Sequence, residues 1–139
     1  MADVPGEDSD PARPARPARR KRRRLSRSGE FDRVYREGRS HAGRHLILYA
    51  FPRGAGDVGP RLGISVGRRV GGAVERNRVK RALRESFWEQ AEPLPETHDF
   101  VIVARPEAAK LTAEEGEPGL REALRELLDD AGLTGDGAR

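Results

Sequence analysis

Residues 61–88, RLGISVGRRVGGAVERNRVKRALRESFW, constrain the fold more than any other stretch of the chain. The first six residues alternate. Leu62, Ile64 and Val66 point one way and Arg61, Gly63 and Ser65 the other, the period-two pattern of a half-buried strand. Gly71 and Gly72 break that pattern and allow a tight turn. Helical periodicity follows. At 100° per residue, Val79, Ala82, Leu83, Ser86 and Phe87 gather in one arc. Asn77, Arg78, Lys80, Arg81 and Arg84 fill the opposite arc, and Arg76 lies in the first turn at its border. The segment is therefore predicted to run strand, glycine turn, amphipathic helix.

The polar arc carries one sign of charge. Its cations from Arg76 to Arg84 repel one another, with Glu75 and Glu85 only flanking them. Such a face is tolerable when wet and screened, and favourable against a polyanion. Guanidinium forks match phosphate oxygens bidentately, and an Asn among them can donate to and accept from sugar or base edges. The plainer alternative is a solvated charged face, as most charge runs are. The one-sided sign favours the polyanion.

The run Gly72-Ala73-Val74-Glu75-Arg76-Asn77-Arg78-Val79-Lys80-Arg81, followed by Arg84, resembles the Arg-Asn-Arg signature of the protein subunit of bacterial ribonuclease P. Gly63-Ile64-Ser65-Val66-Gly67-Arg68-Arg69 is similar to that family's third strand and turn, and Phe31-Asp32-Arg33-Val34-Tyr35-Arg36-Glu37-Gly38 to its upstream block. Order and spacing of the three blocks agree, so the resemblance covers roughly residues 25–130. It implies an α+β fold: a single-domain α/β sandwich of order α-β-β-β-α-β-α, two-layered like a ribosomal-protein domain. It also implies a left-handed βαβ crossover, whereas the general rule for parallel strands favours a right-handed one.

At 139 residues the chain is long enough for one domain with tails. It has no cysteine, which removes disulfides, thiolate catalysis and cysteine-ligated zinc and suits a reducing cytoplasm. The net charge of +4 hides an uneven distribution. Residues 11–27 hold nine Arg or Lys and no acid, whereas residues 112–130 hold seven acids and two arginines. Residues 1–24 repeat Pro-Ala-Arg, end in a run of cations and lack large apolar side chains after Val4, so they are expected to be a disordered basic arm. The arm either attracts RNA or has no role of its own. No apolar core follows the arginines and no transmembrane run occurs, so no secretory signal and no membrane association are expected. The folded domain is expected over 25–131, with a frayed tail at 132–139.

Within the domain, Ser28 is a candidate N-cap for a helix over 28–37. Phe31, Val34 and Tyr35 form its apolar stripe. Residues 39–51 read as a strand, or two short ones bent at Gly43, with Ile47 and Tyr49 on one face and Leu46 and Leu48 on the other. The glycine- and proline-rich stretch 52–60 reads as a hairpin connection. Asp99–Arg105 is a β-branched run expected of a strand covered on both faces. Pro106 is expected to stop that strand, and residues 111–119 to lead into a last helix whose stripe is Leu120, Leu124, Leu127 and Leu128.

Phosphodiester hydrolysis usually needs clustered carboxylates holding divalent metals, or a His acid–base pair. The sequence offers neither. Its late acids lie along one amphipathic helix with leucines inside, and His98 is expected alone in a loop. His41 and His45 on an extended strand would stand ~13 Å apart, too far for a shared metal. No metal site and no catalytic residue are assigned to the protein. The resemblance implies that the catalytic RNA subunit, expected in 1:1 complex, performs the cleavage with Mg2+ that it mainly holds itself. The protein would assist removal of the 5′ leader of precursor tRNA in the cytoplasm. By resemblance, Arg68, Arg69, Arg76, Asn77, Arg78, Lys80, Arg81 and Arg84 contact the catalytic RNA, and Phe31, Tyr35, Tyr49 and Ser65 line the leader cleft. Tyr35 stands where the family usually has Phe, which preserves stacking. Two other classes stay open at this stage. One is a ribosomal or ribosome-assembly protein of the same architecture, and the other a free-standing metal nuclease.

Overall fold

The computed structural model describes residues 22–53 and 59–133. The elements in chain order are β1 (Arg23–Arg24), α1 (Ser28–Glu37), β2 (Arg39–Ala42), β3 (Leu46–Pro52), β4 (Arg61–Val66), a 3₁₀ turn (Arg68–Val70), α2 (Ala73–Glu89), β5 (His98–Ala104) and α3 (Glu107–Asp130). The five strands form one sheet in the order β1-β4-β5-β3-β2. β4 and β5 are parallel and joined through α2, whereas β3 is antiparallel to both β5 and β2. The α+β single domain is as expected from the sequence.

Burial explains the strand chemistry. β5 is central, so its faces have separate tasks. Phe100, Ile102 and Ala104 pack with Leu46, Leu48, Leu62 and the apolar stripes of α2 and α3 in the main core. Val101 lies on the other face in a smaller cluster with Leu25 and Val34, against which Phe31 and Tyr49 pack. That is why β5 reads as a continuous apolar run, while β3 and β4 alternate. α1 thus adds a partial third layer to the two-layer sandwich and leaves much of its face of the sheet uncovered. On α2 the buried residues are Val79, Ala82, Leu83, Ser86 and Phe87, the arc that helical periodicity selects.

Several expectations change. The arm, expected to lack structure through residue 24, enters the sheet: Arg23 and Arg24 pair parallel with Arg61 and Leu62. The rest of the arm, residues 1–21, lies outside the described residues. Ser28 is not the cap of α1. Arg27 occupies that position, and Glu30 Oε1 accepts the backbone N–H groups of Ser26 and Arg27 at 3.1 and 3.3 Å. Residues 111–119, expected only to lead into the last helix, already belong to it, and the helix begins at Glu107. α3 is broken only at Gly116, whose φ of +71° suits a residue without Cβ, and Pro118 falls in the first turn after the break, where its missing N–H matters least. His98 opens β5 rather than standing in a loop.

Residues 132 and 133 of the expected frayed tail are held by hydrogen bonds to the end of α3. Gly132, at φ +72°, donates to the Asp129 carbonyl at 3.0 Å, and Leu133 donates to Leu128 at 3.1 Å. This is the paired bonding of a glycine helix stop, with Leu133 folded back into the core. The stretch 52–60, expected to be a hairpin connection, joins two strands that do not pair, because β5 lies between β3 and β4; its residues 54–58, and residues 134–139, lie outside the described residues.

Candidate nucleic-acid interface

Two surfaces carry the residues singled out in the sequence. The first is the aromatic cleft on the α1 side of the sheet. Helical spacing sets Phe31 and Tyr35 one turn apart, with ring centroids at 6.4 Å. Tyr35 also meets Tyr49 of β3 edge-on at 5.0 Å. Its hydroxyl lies near Ser65 of β4, and burial of the phenol pushes its pKa upward. All four residues expected in one cleft therefore assemble from α1, β3 and β4.

They divide between packing and exposure. Phe31 is half-buried flat against Gly63, where an added Cβ would stand 2.6 Å from the ring. Gly63 is thus required for close approach of the ring to the strand. Tyr35 is 37% exposed, so its ring is partly presented to solvent. Beside it runs a cross-strand row, Ser65–Val103–Ile47, that α1 leaves half-open. A half-open floor edged by a presented ring can take the flat face of an unstacked base.

The base of this cleft is tied by ions. Asp99, 2% exposed, accepts from Arg61 Nε and Nη2 at 2.8 Å each, and from Arg53 Nη1 at 2.8 Å. Arg61 Nη1 reaches Glu30 of α1 at 3.1 Å. Glu30 is held below the usual carboxylate range, first by the Ser26 N–H and also by Arg27 and Arg61. One arginine thus links β4, β5 and the start of α1, which fixes the helix that carries the aromatics. This network escaped sequence reasoning, because residues 30, 53, 61 and 99 meet only through strand pairing.

The second surface is the basic face of α2 with the turn before it. Arg68, Arg69, Asn77, Arg78, Arg81 and Arg84 are exposed, while Arg76 and Lys80 are partly covered. Because the core stripe occupies one arc of α2, its cations fall on the other, with Arg68 and Arg69 on the turn before it. Across the molecule, the acids Glu114, Glu115, Glu117, Glu122, Glu126, Asp129 and Asp130 of α3 are all exposed. The domain is therefore electrostatically two-sided, and a polyanion would be oriented onto the α2 side.

Neither surface holds an acid–base pair suited to hydrolysis. Glu30 and Asp99 are engaged by arginines and backbone amides. His98 stacks on Phe100 with centroids 5.8 Å apart, and burial pushes its pKa down. Among the described residues, no three His, Asp or Glu side chains come together as a metal donor set. No helix among the described residues is long and apolar enough to cross a membrane. The arrangement can bind phosphates and stack bases.

Comparison with known proteins places the whole domain in one family. Residues 20–129 match the family described as Ribonuclease P. The ribonuclease P protein component of Halalkalibacterium halodurans is 43% identical over 91 residues, spanning 66% of this chain and 76% of its own. That of Bacillus pumilus is 37% identical over 101 residues, spanning 73% and 84%. Among solved structures, the RNase P protein of Staphylococcus aureus superposes with a TM-score of 0.73 at 31% identity, covering 83% of this chain and 100% of that one. The RNase P protein of Thermotoga maritima gives 0.69 at 30% identity, covering 78% and 97%.

Proposed function

This chain belongs to the ribonuclease P protein family, and on that premise we propose that it is the RNA-binding subunit of a ribonucleoprotein that removes the 5′ leader of precursor tRNA. The basic residues Arg68, Arg69, Arg76, Asn77, Arg78, Lys80, Arg81 and Arg84 bind the catalytic RNA. Phe31, Tyr35, Tyr49 and Ser65 receive the single-stranded leader. The reading rests on one observation above others: Tyr35 is 37% exposed while its ring packs edge-on against Tyr49 beside Ser65. A ring fixed in place before binding stacks on a base with little further loss of entropy, and stacking tolerates any base. That suits an enzyme whose substrates share a tRNA body but differ in leader sequence.

Chemistry is assigned to the RNA, in a 1:1 complex. The RNA holds the magnesium that drives cleavage. Among the described residues, no three His, Asp or Glu side chains come together as a donor set. The protein raises affinity for the precursor, positions the leader and screens phosphate repulsion where the RNA gathers Mg2+.

The test is a cleavage assay on labelled precursor tRNA at low magnesium, with protein alone, a bacterial ribonuclease P RNA alone, and both. Correct 5′ processing in the mixture only is the expected result. Cleavage by the protein alone would replace this reading with a nuclease. No gain in the mixture would return the chain to the ribosomal class. In the active mixture, Tyr35→Ala should weaken precursor binding by roughly 1–3 kcal/mol and leave mature tRNA unaffected. Equal loss for both substrates would remove Tyr35 from the leader cleft.

A further inference from the structure

The aromatic cleft does not end at Phe31. Beyond that ring, at the sheet edge, lies a groove of about 580 Å³ between β1, β4 and α2. It exists because β1 pairs with only Arg61 and Leu62 of β4, after which the chain turns away into α1. Gly63 and Ile64 of β4 line the floor beyond that point. Arg22 and Arg24 stand on one wall, Lys80, Arg84 and Trp88 on the other, and Phe31 closes the end shared with the cleft. The α2 wall is a single stripe, because positions 80, 84 and 88 are each one helical turn apart.

We propose that this groove is a second subsite for the leader and takes the nucleotides that continue past Phe31 along the same strand, with phosphates on Arg22 and Arg24 and on Lys80 and Arg84, the two members of the basic face that line the groove and are here moved from the catalytic RNA to the leader, and a base against Trp88. The inference rests on the leader reading above. Three observations carry it. First, the charge is complementary to a phosphodiester strand: four cations line the walls, and the ion pair of Arg22 with Glu85, at 3.4 Å with both side chains nearly half exposed, is of little strength. Second, the walls combine cations with aromatic rings over an apolar floor, the combination that grips single strands. A base-paired RNA hides its base faces, so the groove fits the single-stranded leader better than a duplex of the catalytic RNA. Third, the path is continuous. Tyr49, Tyr35 and Phe31 stand in file at 5.0 and 6.4 Å, and the file leads from β3 to the edge where the groove opens.

The experiment uses the full chain assembled with a bacterial ribonuclease P RNA. Binding is measured for precursor tRNAs whose leaders are shortened stepwise from the 5′ end, and for mature tRNA. The Arg22→Gln/Arg24→Gln double variant alters only one exposed and one edge-strand side chain. It should lose affinity for the longest leaders alone, and reduce the slope of log K against log salt for those substrates by about 1.4, two phosphate contacts' worth on a single strand. Trp88→Ala should weaken long-leader binding by about fivefold or more. Because Trp88 also packs edge-on against Phe87 at 4.9 Å, Trp88→Leu is measured beside it to separate lost stacking from a disturbed core. The leucine variant should fold normally and show the same leader-length dependence.

Equal loss for long leaders, short leaders and mature tRNA would overturn the proposal and give these cations to the catalytic RNA. No loss with any substrate would overturn it as well. If Tyr35→Ala still discriminates against precursor while the groove variants do nothing, this subsite alone is refuted. If Tyr35→Ala discriminates nothing, the leader reading itself falls.

Discussion

Replacing Asp99 by Asn tests whether the buried ion network holds the cleft together. The change keeps the shape and one carbonyl acceptor but removes the negative charge between two guanidinium groups. The side chains involved are nearly dry: Asp99 is 3% exposed, Arg53 8% and Arg61 20%. Breaking a buried pair from one side costs roughly 3–5 kcal/mol, because the surviving charge stays desolvated without a counter-ion. Two features place this case at the lower end. Arg53 keeps the carbonyls of His98 and Gly59, both at 2.7 Å, and Arg61 keeps Glu30. The expected loss is therefore about 3 kcal/mol, a large share of the ~5–15 kcal/mol that holds a typical domain. Urea unfolding followed by circular dichroism reads it as a fall in midpoint of about 1–2 M with the slope unchanged. Adding Arg61→Gln to Asp99→Asn should cost less than the sum of the two single changes, since each removes the other's reason for being charged. A loss below about 1 kcal/mol, or strict additivity of the pair, would show that water reaches the network and that the account of the cleft's foundation is wrong.

Other outcomes follow from single contacts. Gly63→Ala should displace Phe31, because the new Cβ falls 2.6 Å from its ring; a loss of about 1–3 kcal/mol together with weaker leader binding is expected, and unchanged values would show that the ring moves freely. Gly132→Ala should cost about 1 kcal/mol in thermal or urea unfolding, by forcing a Cβ into φ +72°. Ser86→Ala should be neutral or stabilising by up to about 1 kcal/mol, since the Ser86 hydroxyl is buried in the core without a hydrogen-bond partner among the described residues. Stability should also fall on acidification in two stages. His98 has its pKa lowered by burial, so the stability it contributes is present above its ordinary value of 6.5 and is lost as pH falls through the lower folded value. Glu30, lowered from 4.5 chiefly by the Ser26 N–H, behaves likewise at more acid pH. His98→Gln should abolish the upper stage and leave the lower one.

The sequence by itself determined whatever depends on the spacing of neighbouring residues. The buried arc of α2, the span of α1, the alternation of β3 and β4 and the two-sided burial of β5 all follow from periods of 3.6 and 2.0, which a chain cannot hide. The basic face was legible for the same reason: once the apolar stripe is assigned to the core, the cations have only one direction left. Local signals were also missed where two readings competed. Gly116 and Pro118 read as a loop, although a helix can break at a glycine and restart with a proline in its next turn. Gly132 followed by Leu133 read as the start of a frayed end, although it is also the signature of a helix stop folded back on its core.

What only the tertiary structure decided is which distant residues share a site. Strand pairing brings Asp99 level with Arg61 and places Ser65 under Tyr35, and neither meeting leaves a mark on local periodicity. The entry of Arg23 and Arg24 into the sheet is the clearest case. Nothing in a run of arginines selects a strand, and it forms because the edge of β4 supplies the missing half of its hydrogen bonds. The groove between arm and helix exists only as a consequence of that pairing. Local spacing fixes the elements and their faces, while long-range pairing, whose cost and reward lie far apart in sequence, fixes the site.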